Sequence, residues 1–377
     1  MAFRNALLIA CVALSPTLAS VLPIVETQRF DVAMTTALLT DPDRLDPLAK
    51  DGRLRSIMVS AFSPVPNCRQ KKLVPYMPPA TAAFQGDKFA AYGLPNGSFP
   101  SLQLETCDPG VSRHRGRSQP FPLVLFSGAL GTSRMIYSSM LQSLAAAGYL
   151  VVSVDHPYDA DIVEFPNGTI ITGLDLETDA DIELTLTTRV GDMDFLYKQS
   201  SNTSVSNRLF PSHGQPDCKR KTALIGHSLG GATAAAAMLQ MPWIRGALNI
   251  DGTMFGPVLE KGIDRPFMLI GHENKTQETD PSWKSIWPNL TAWKKEFEVK
   301  GAAHYGFSDL PLITSVLGLQ DMLPVEVEGV LGTIEGHRMM NITVAYVTAF
   351  LDVLLKSGSG KLLNGSNGDF PEVVEVA

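Results

Sequence analysis

The chain has 377 residues, 45% of them hydrophobic and 18% charged, with 31 Lys+Arg against 38 Asp+Glu and a formal net charge of -7. That apolar content supports a large core and excludes a disordered chain, and the acidic balance argues against a nucleic-acid binder, which needs a basic face for phosphate. Four cysteines without a CxxC spacing exclude a disulfide-dense scaffold and give a structural zinc site little support.

Met1 to Ser20 opens with Arg4, continues through the uncharged apolar run Leu7 to Leu14 and ends in small residues. This pattern predicts a secretory signal peptide cut near Ala19 or Ser20; Pro16 comes too early for a membrane anchor of about 20 apolar residues. Asn-x-Ser/Thr occurs at Asn96, Asn167, Asn202, Asn274, Asn289, Asn341 and Asn364, more often than the Ser and Thr content predicts. The expectation is a secreted, extracellular glycoprotein with these asparagines as acceptors. In an oxidising compartment one pair among Cys68, Cys107 and Cys218 is expected to be bridged. Cys68 and Cys107 share the loop-rich segment before the first strong strand and are the favoured pair, with Cys218 a small buried thiol.

Arg29 to Ala37 and Arg53 to Ser63 read as extended strands around the turn-rich Asp41-Pro42-Asp43-Arg44. Asn67 to Pro120 is rich in Pro and Gly, has little periodicity and reads as an irregular cap or wrapping arm. From Phe121 the pattern becomes regular. Apolar runs at Phe121 to Ser127, Tyr149 to Val154, Lys219 to Gly226, Ile244 to Ile250, Pro266 to Gly271 and Phe297 to Gly301 alternate with helical patterns at Met135 to Ala147, Asp181 to Lys198, Leu229 to Gln240 and Asn341 to Lys356. Such alternation predicts an α/β class, with right-handed βαβ units and a mostly parallel sheet covered on both faces. The expected organisation is a signal peptide (1–20), N-terminal strands and arm (21–120), an α/β core (121–356) and a flexible Gly/Ser/Asn-rich tail (357–377). No apolar stretch after the leader reads as long enough to cross a membrane.

Gly226-His227-Ser228-Leu229-Gly230 is a G-x-S-x-G pentapeptide, weak by itself. Its setting gives it weight, because Thr222 to Ile225 reads as a strand running into it and Gly231 to Ala235 as a helix leaving it. A sharp strand-to-helix turn holding a serine in strained geometry leaves no room for side chains at 226 and 230. A serine hydroxyl needs a base and the base an orienting acid, in the chain order Ser, acid, His for such a turn. Asp251, at the end of the run Gly246 to Ile250, is the favoured acid, and Asp264 the runner-up. Of the histidines after it, His304 in the small-residue loop Gly301 to Gly306 is the favoured base, His272 a pocket residue, and His227 a side chain packed beneath the site. The oxyanion would take backbone donors from Leu229 and from the loop Ser127 to Gly131.

The elbow Gly226 to Thr233 resembles that of the platelet-activating factor acetylhydrolase family, secreted calcium-independent serine esterases of α/β-hydrolase fold. Similar too are Leu123 to Gly131 followed by Arg134, Tyr137-Ser138, Ala147-Gly148-Tyr149, Asp155-His156, Asp251 with Met254-Phe255, and Gly301 to Asp309. In the opening strands the likeness extends to Asp43-Arg44, Asp46-Pro47, Met58-Val59-Ser60 and Phe62. The resemblance implies a triad of Ser228, Asp251 and His304 with the Leu130 and Leu229 amides as oxyanion hole, no metal and no organic cofactor. It also implies hydrolysis of short or oxidised acyl chains at the second position of a glycerophospholipid, with transient contact at a lipid surface. One departure stands in the oxyanion loop, where Gly128-Ala129 replaces the usual His-Gly before Leu130. Cutinase-like or lipase-like action on simple or polymeric esters is the alternative, and a non-catalytic binding module of the same fold is a second.

Overall fold

The computed structural model describes residues 19–25, 29–110, 121–211, 213, 221–365 and 367–377. Most of the expected leader and Cys218 lie outside the described residues. In chain order the strands are β1 (Ser20–Leu22), β2 (Asp31–Leu45), β3 (Leu54–Val65), β4 (Lys71–Pro75), β5 (Leu102–Cys107), β6 (Leu123–Ser127), β7 (Leu150–Asp155), β8 (Ile162–Glu164), β9 (Ile170–Thr172), β10 (Thr222–His227), β11 (Ile244–Ile250), β12 (Phe267–His272), β13 (Lys294–Val299) and β14 (Val373–Glu375). The helices are α1 (Pro79–Ala90), α2 (Ser98–Ser101), α3 (Ser138–Ala146), α4 (Asp179–Ser201), α5 (Thr203–Leu209), α6 (Leu229–Gln240), α7 (Val258–Lys261), α8 (Pro281–Ile286), α9 (Leu310–Val316), α10 (Val325–Leu331) and α11 (Gly336–Lys356).

Nine strands form one sheet in the order β14-β13-β12-β11-β10-β6-β7-β3-β2. The strands from β13 to β7 pair in parallel, while β3 and β2 on one side and β14 on the other are antiparallel. The central strands are apolar at successive positions because both of their faces are covered. Val124, Phe126, Ile225, Leu248, Ile250 and Met268 point into a core shared with α3 and α11. Leu123, Leu125, Leu224, Ala247 and Leu269 point to the opposite core, under α4, α6 and α8. The Ala-rich α6 lies close to β10 and β11 because its buried face carries mostly small side chains, among them Gly231, Ala234, Ala235 and Ala237. The α/β-hydrolase arrangement expected from the sequence is therefore present, with β6, β10, β11 and β12 ending at one edge. In open α/β sheets that edge is where ligands bind.

Three expectations need correction. Residues 67–110 are not irregular: β4 and β5 pair antiparallel, β1 joins β5 in parallel, and α1 and α2 pack beside them. Their short strands carry too little alternation for a period-two signal. The tail is not flexible in its described part: β14 pairs with the edge strand β13, Leu363 and Val373 are buried, and Glu296 N donates to Ala377 O at 2.9 Å. An apolar Val-Val step is enough to cap a sheet edge that would otherwise stay open. Third, α11 is, among the described residues, a helix long and apolar enough to cross a membrane, yet more than half of its apolar window is buried inside the molecule.

Candidate active site

Ser228 sits between β10 and α6 with φ 57° and ψ −125°, a conformation L-residues avoid. The turn closes because its neighbours are glycines. A Cβ on Gly226 would lie 2.0 Å from the Gly230 carbonyl, and one on Gly230 would lie 2.0 Å from Ser127 O. Ser228 N donates to Ile250 O at 2.8 Å, tying the elbow to β11. Among the described residues the Leu229 and Leu130 amides have no hydrogen-bond acceptor, which leaves both donors for a ligand oxygen.

Asp251 follows β11, is buried, and adopts φ 58°. His304 Nδ1 bonds Asp251 Oδ2, and His272 Nδ1 reaches both carboxylate oxygens at 2.6 and 2.8 Å. The His272 amide also donates to Oδ1 at 2.9 Å. Burial alone would push the Asp251 pKa up; the hydrogen bonds from His272 and His304 outweigh it and hold the carboxyl well below the usual carboxylate range. Asp264, the runner-up acid, lies instead on the exposed surface beside Arg265.

His227 holds His304 from below. Its Nε2 bonds the His304 carbonyl oxygen at 2.9 Å, and its Nδ1 bonds Tyr137 Oη at 2.8 Å, which in turn accepts from Ala129 N at 3.2 Å. A carbonyl only accepts, so Nε2 carries the proton and Nδ1 accepts from the tyrosine. Burial, then the neighbouring His304, pushes the His227 pKa down to about 3, in keeping with a neutral ring. His227, Asp251 and His304 have the spacing of a metal-ligand group. His227 spends its ring nitrogens on the His304 carbonyl and Tyr137, and Asp251 is held by His304 Nδ1 and His272 Nδ1, so the three side chains form part of a hydrogen-bonded network. The His304 side chain is 37% exposed, leaving Nε2 open to the cleft. Among the described residues no hydrogen bond yet joins Ser228 Oγ to this ring, a contact that commonly tightens only around substrate.

The arm reaches the same edge. Lys88 Nζ on α1 donates to Gly131 O at 3.0 Å and to Asp161 at 2.8 Å. A narrow cavity of about 90 Å³ opens there, lined by Phe89, Tyr92, Thr132, Ile136, Tyr305 and Leu331.

The model of the family described as platelet-activating factor acetylhydrolase, isoform II, matches residues 102–165 and 215–359. The chain belongs to this family. It is 30% identical over 342 residues to a probable 1-alkyl-2-acetylglycerophosphocholine esterase of Arthroderma benhamiae, covering 85% of each protein. It is 26% identical to the platelet-activating factor acetylhydrolase of Cavia porcellus over 63% of this chain and 58% of that protein. Among solved structures, a ferulic acid esterase from Streptomyces cinnamoneus superposes with a TM-score of 0.80 at 28% identity, over 95% of this chain and all of the other. Leu130, Ser228, Leu229, Asp251 and His304 all fall within the matched segments of this acetylhydrolase family. The bond from His272 to Asp251 was not foreseen beyond a place in the pocket, since only the register of β11 on β12 sets the two side by side.

Cys68 and Cys107 form a disulfide, S–S 2.08 Å. Of the sequon asparagines, Asn96, Asn167, Asn202, Asn274 and Asn364 are exposed. Asn289 uses its amide nitrogen on Leu259 O at 2.8 Å, and Asn341 lies half-buried on α11.

Proposed function

We propose that the chain is a secreted serine esterase that removes the short acyl group from the second position of glycerophospholipids through an acyl-enzyme. The observation that carries the chemistry is the convergence at one sheet edge of a strained Ser228, the Asp251–His304 bond and two unclaimed amides. His304 takes the Ser228 proton as Oγ attacks the ester carbonyl, and the developing oxyanion accepts from Leu130 and Leu229 N–H. Asp251 holds the imidazolium. Collapse of the tetrahedral adduct breaks the bond to the leaving alcohol, which receives the proton from His304. Water, deprotonated by the same ring, then frees the carboxylic acid and restores Ser228. The substrate class is supported by the named relatives and by the small cavity beside Tyr305. Secretion is supported by the leader pattern and by the disulfide, a bond that persists in oxidising compartments.

The ferulic acid esterase likeness supports a second reading, hydrolysis of simple or polymeric esters. Initial rates on acetyl-glycerophosphocholine, short nitrophenyl esters and a polyester film decide between them; a preference of nitrophenyl esters and film over the phospholipid overturns the first. Ser228→Ala is expected to lower kcat at least about 10⁴-fold. Retained turnover, or no acyl burst from the natural protein, would instead mark a binding module.

A further inference from the structure

Arg189 lies in the middle of α4, between the two segments that match the family model, and is 1% exposed. All five of its N–H donors are used. Nε and Nη2 donate to the two Asp159 oxygens, each at 2.5 Å, and Nη1 to Ser127 Oγ at 3.1 Å. The two contacts that remain are to consecutive peptide carbonyls of the oxyanion loop: Nη1 to Gly128 O at 2.6 Å and Nη2 to Ala129 O at 3.2 Å.

We infer that Arg189 is a positioning residue for the oxyanion hole, aiming the Leu130 N–H at the reacting carbonyl by gripping the carbonyl on the other side of the same peptide. In a trans peptide the C=O and N–H are coplanar and point in opposite directions, and the described residues contain no cis bond. Drawing Ala129 O inward, where the guanidinium and Thr132 Oγ1 at 2.8 Å both donate to it, therefore turns the Leu130 N–H outward. The flanking amides are disposed of separately: Ala129 N donates to Tyr137 Oη at 3.2 Å and Gly131 N to Asp159 O at 3.1 Å. Leu130 is thus the one amide of the three left unclaimed, and Asp159 serves twice, as the counter-ion of Arg189 and as the acceptor that ends the loop. Only a planar fork with five donors satisfies this geometry; a lysine has three donors and no fixed plane.

The inference rests on the esterase reading, and the test keeps the two apart. Arg189→Lys, which retains the charge beside Asp159, and Arg189→Gln are compared with Ser228→Ala on 4-nitrophenyl acetate, with near-ultraviolet circular dichroism as the check on folding. Loss of one oxyanion donor typically costs about 10²–10³ in kcat, and a misaimed donor loses part of that. The expected result is a fall in kcat of about tenfold to a hundredfold with KM within about threefold, and an equal loss of affinity for a phenylboronic acid that forms a tetrahedral adduct on Ser228. A folded lysine or glutamine variant with kcat within about twofold of the natural protein, or a loss confined to KM, overturns the positioning role while Ser228→Ala stays inactive. Turnover retained by Ser228→Ala overturns the esterase reading itself. A measurement that needs no variant is the amide spectrum of the ¹⁵N-labelled natural protein: phenylboronic acid should shift Leu130 N–H more than Ala129 or Gly131, and an unmoved Leu130 overturns the inference.

Discussion

At the scale of single residues the site is marked by two imidazoles on one carboxylate. Asp251 is bonded by both His304 and His272, and its depressed pKa keeps it ionised well below the usual carboxylate range. The sign follows: stability from these bonds is fully present above the unfolded value near 3.9 and is lost only as pH falls through the lower folded value. His272 contributes one charge-assisted bond, of a kind typically contributing about 1.5–3 kcal/mol. His272→Ala should therefore lower kcat about tenfold by letting the carboxylate turn, with KM for a nitrophenyl ester nearly unchanged; steady-state kinetics check this. Ser228, its flanking glycines, Asp251 and His304 could all be placed from the sequence, because a tight turn and chain order are local signals. Arg189 and Tyr137 could not, since nothing within a few residues of either shows what it will touch.

Between elements, the join that matters most for the site is made by Asp309. It accepts from Ser139 N at 2.7 Å and Met140 N at 3.0 Å at the start of α3 and from Tyr76 Oη at 2.8 Å in the arm, five residues beyond His304. Burial pushes its pKa up to about 7 despite those bonds. A raised acid pKa stabilises the fold below the unfolded value near 3.9, and that contribution is lost as pH rises through about 7. The melting temperature of the natural protein should accordingly fall between pH 5 and 8 relative to that of Asp309→Asn, which has no proton to lose; thermal melts across that range read the difference. The helices and central strands were legible because their periods, 3.6 and continuous apolar runs, are written in adjacent residues. The arm and the tail carry no such signal for the converse reason. β1, β4 and β14 are three to five residues long and become strands only against β5 or β13.

For the whole molecule, the arm is fastened by a disulfide at one end of its sheet and by a contact from α1 to the loop after β6. The Cys68–Cys107 disulfide closes a span of 39 residues that includes α1, the helix whose Lys88 touches the oxyanion loop. The chain-entropy relation for a loop of this length gives roughly 4 kcal/mol. Cys68→Ala paired with Cys107→Ala should lower the stability measured by urea unfolding by about that much, and should raise KM more than it lowers kcat, since the arm walls the cavity while the elbow stands on the main sheet. Arg55 and Asp192, both fully buried, extend the same logic, linking β3 to α4 and through His156 to Ser127 at the end of β6.

By itself the sequence determined the α/β class, the strand–serine–helix turn and the order along the chain of Ser228, Asp251 and His304, because each depends on steric and periodic rules acting over a handful of neighbouring residues. Only the tertiary structure decided that two histidines share Asp251, that His227 and Tyr137 brace His304, and that Arg189 grips the Gly128 and Ala129 carbonyls. Those contacts join residues tens of positions apart, and they exist only once sheet register and helix packing have set their side chains within hydrogen-bonding distance.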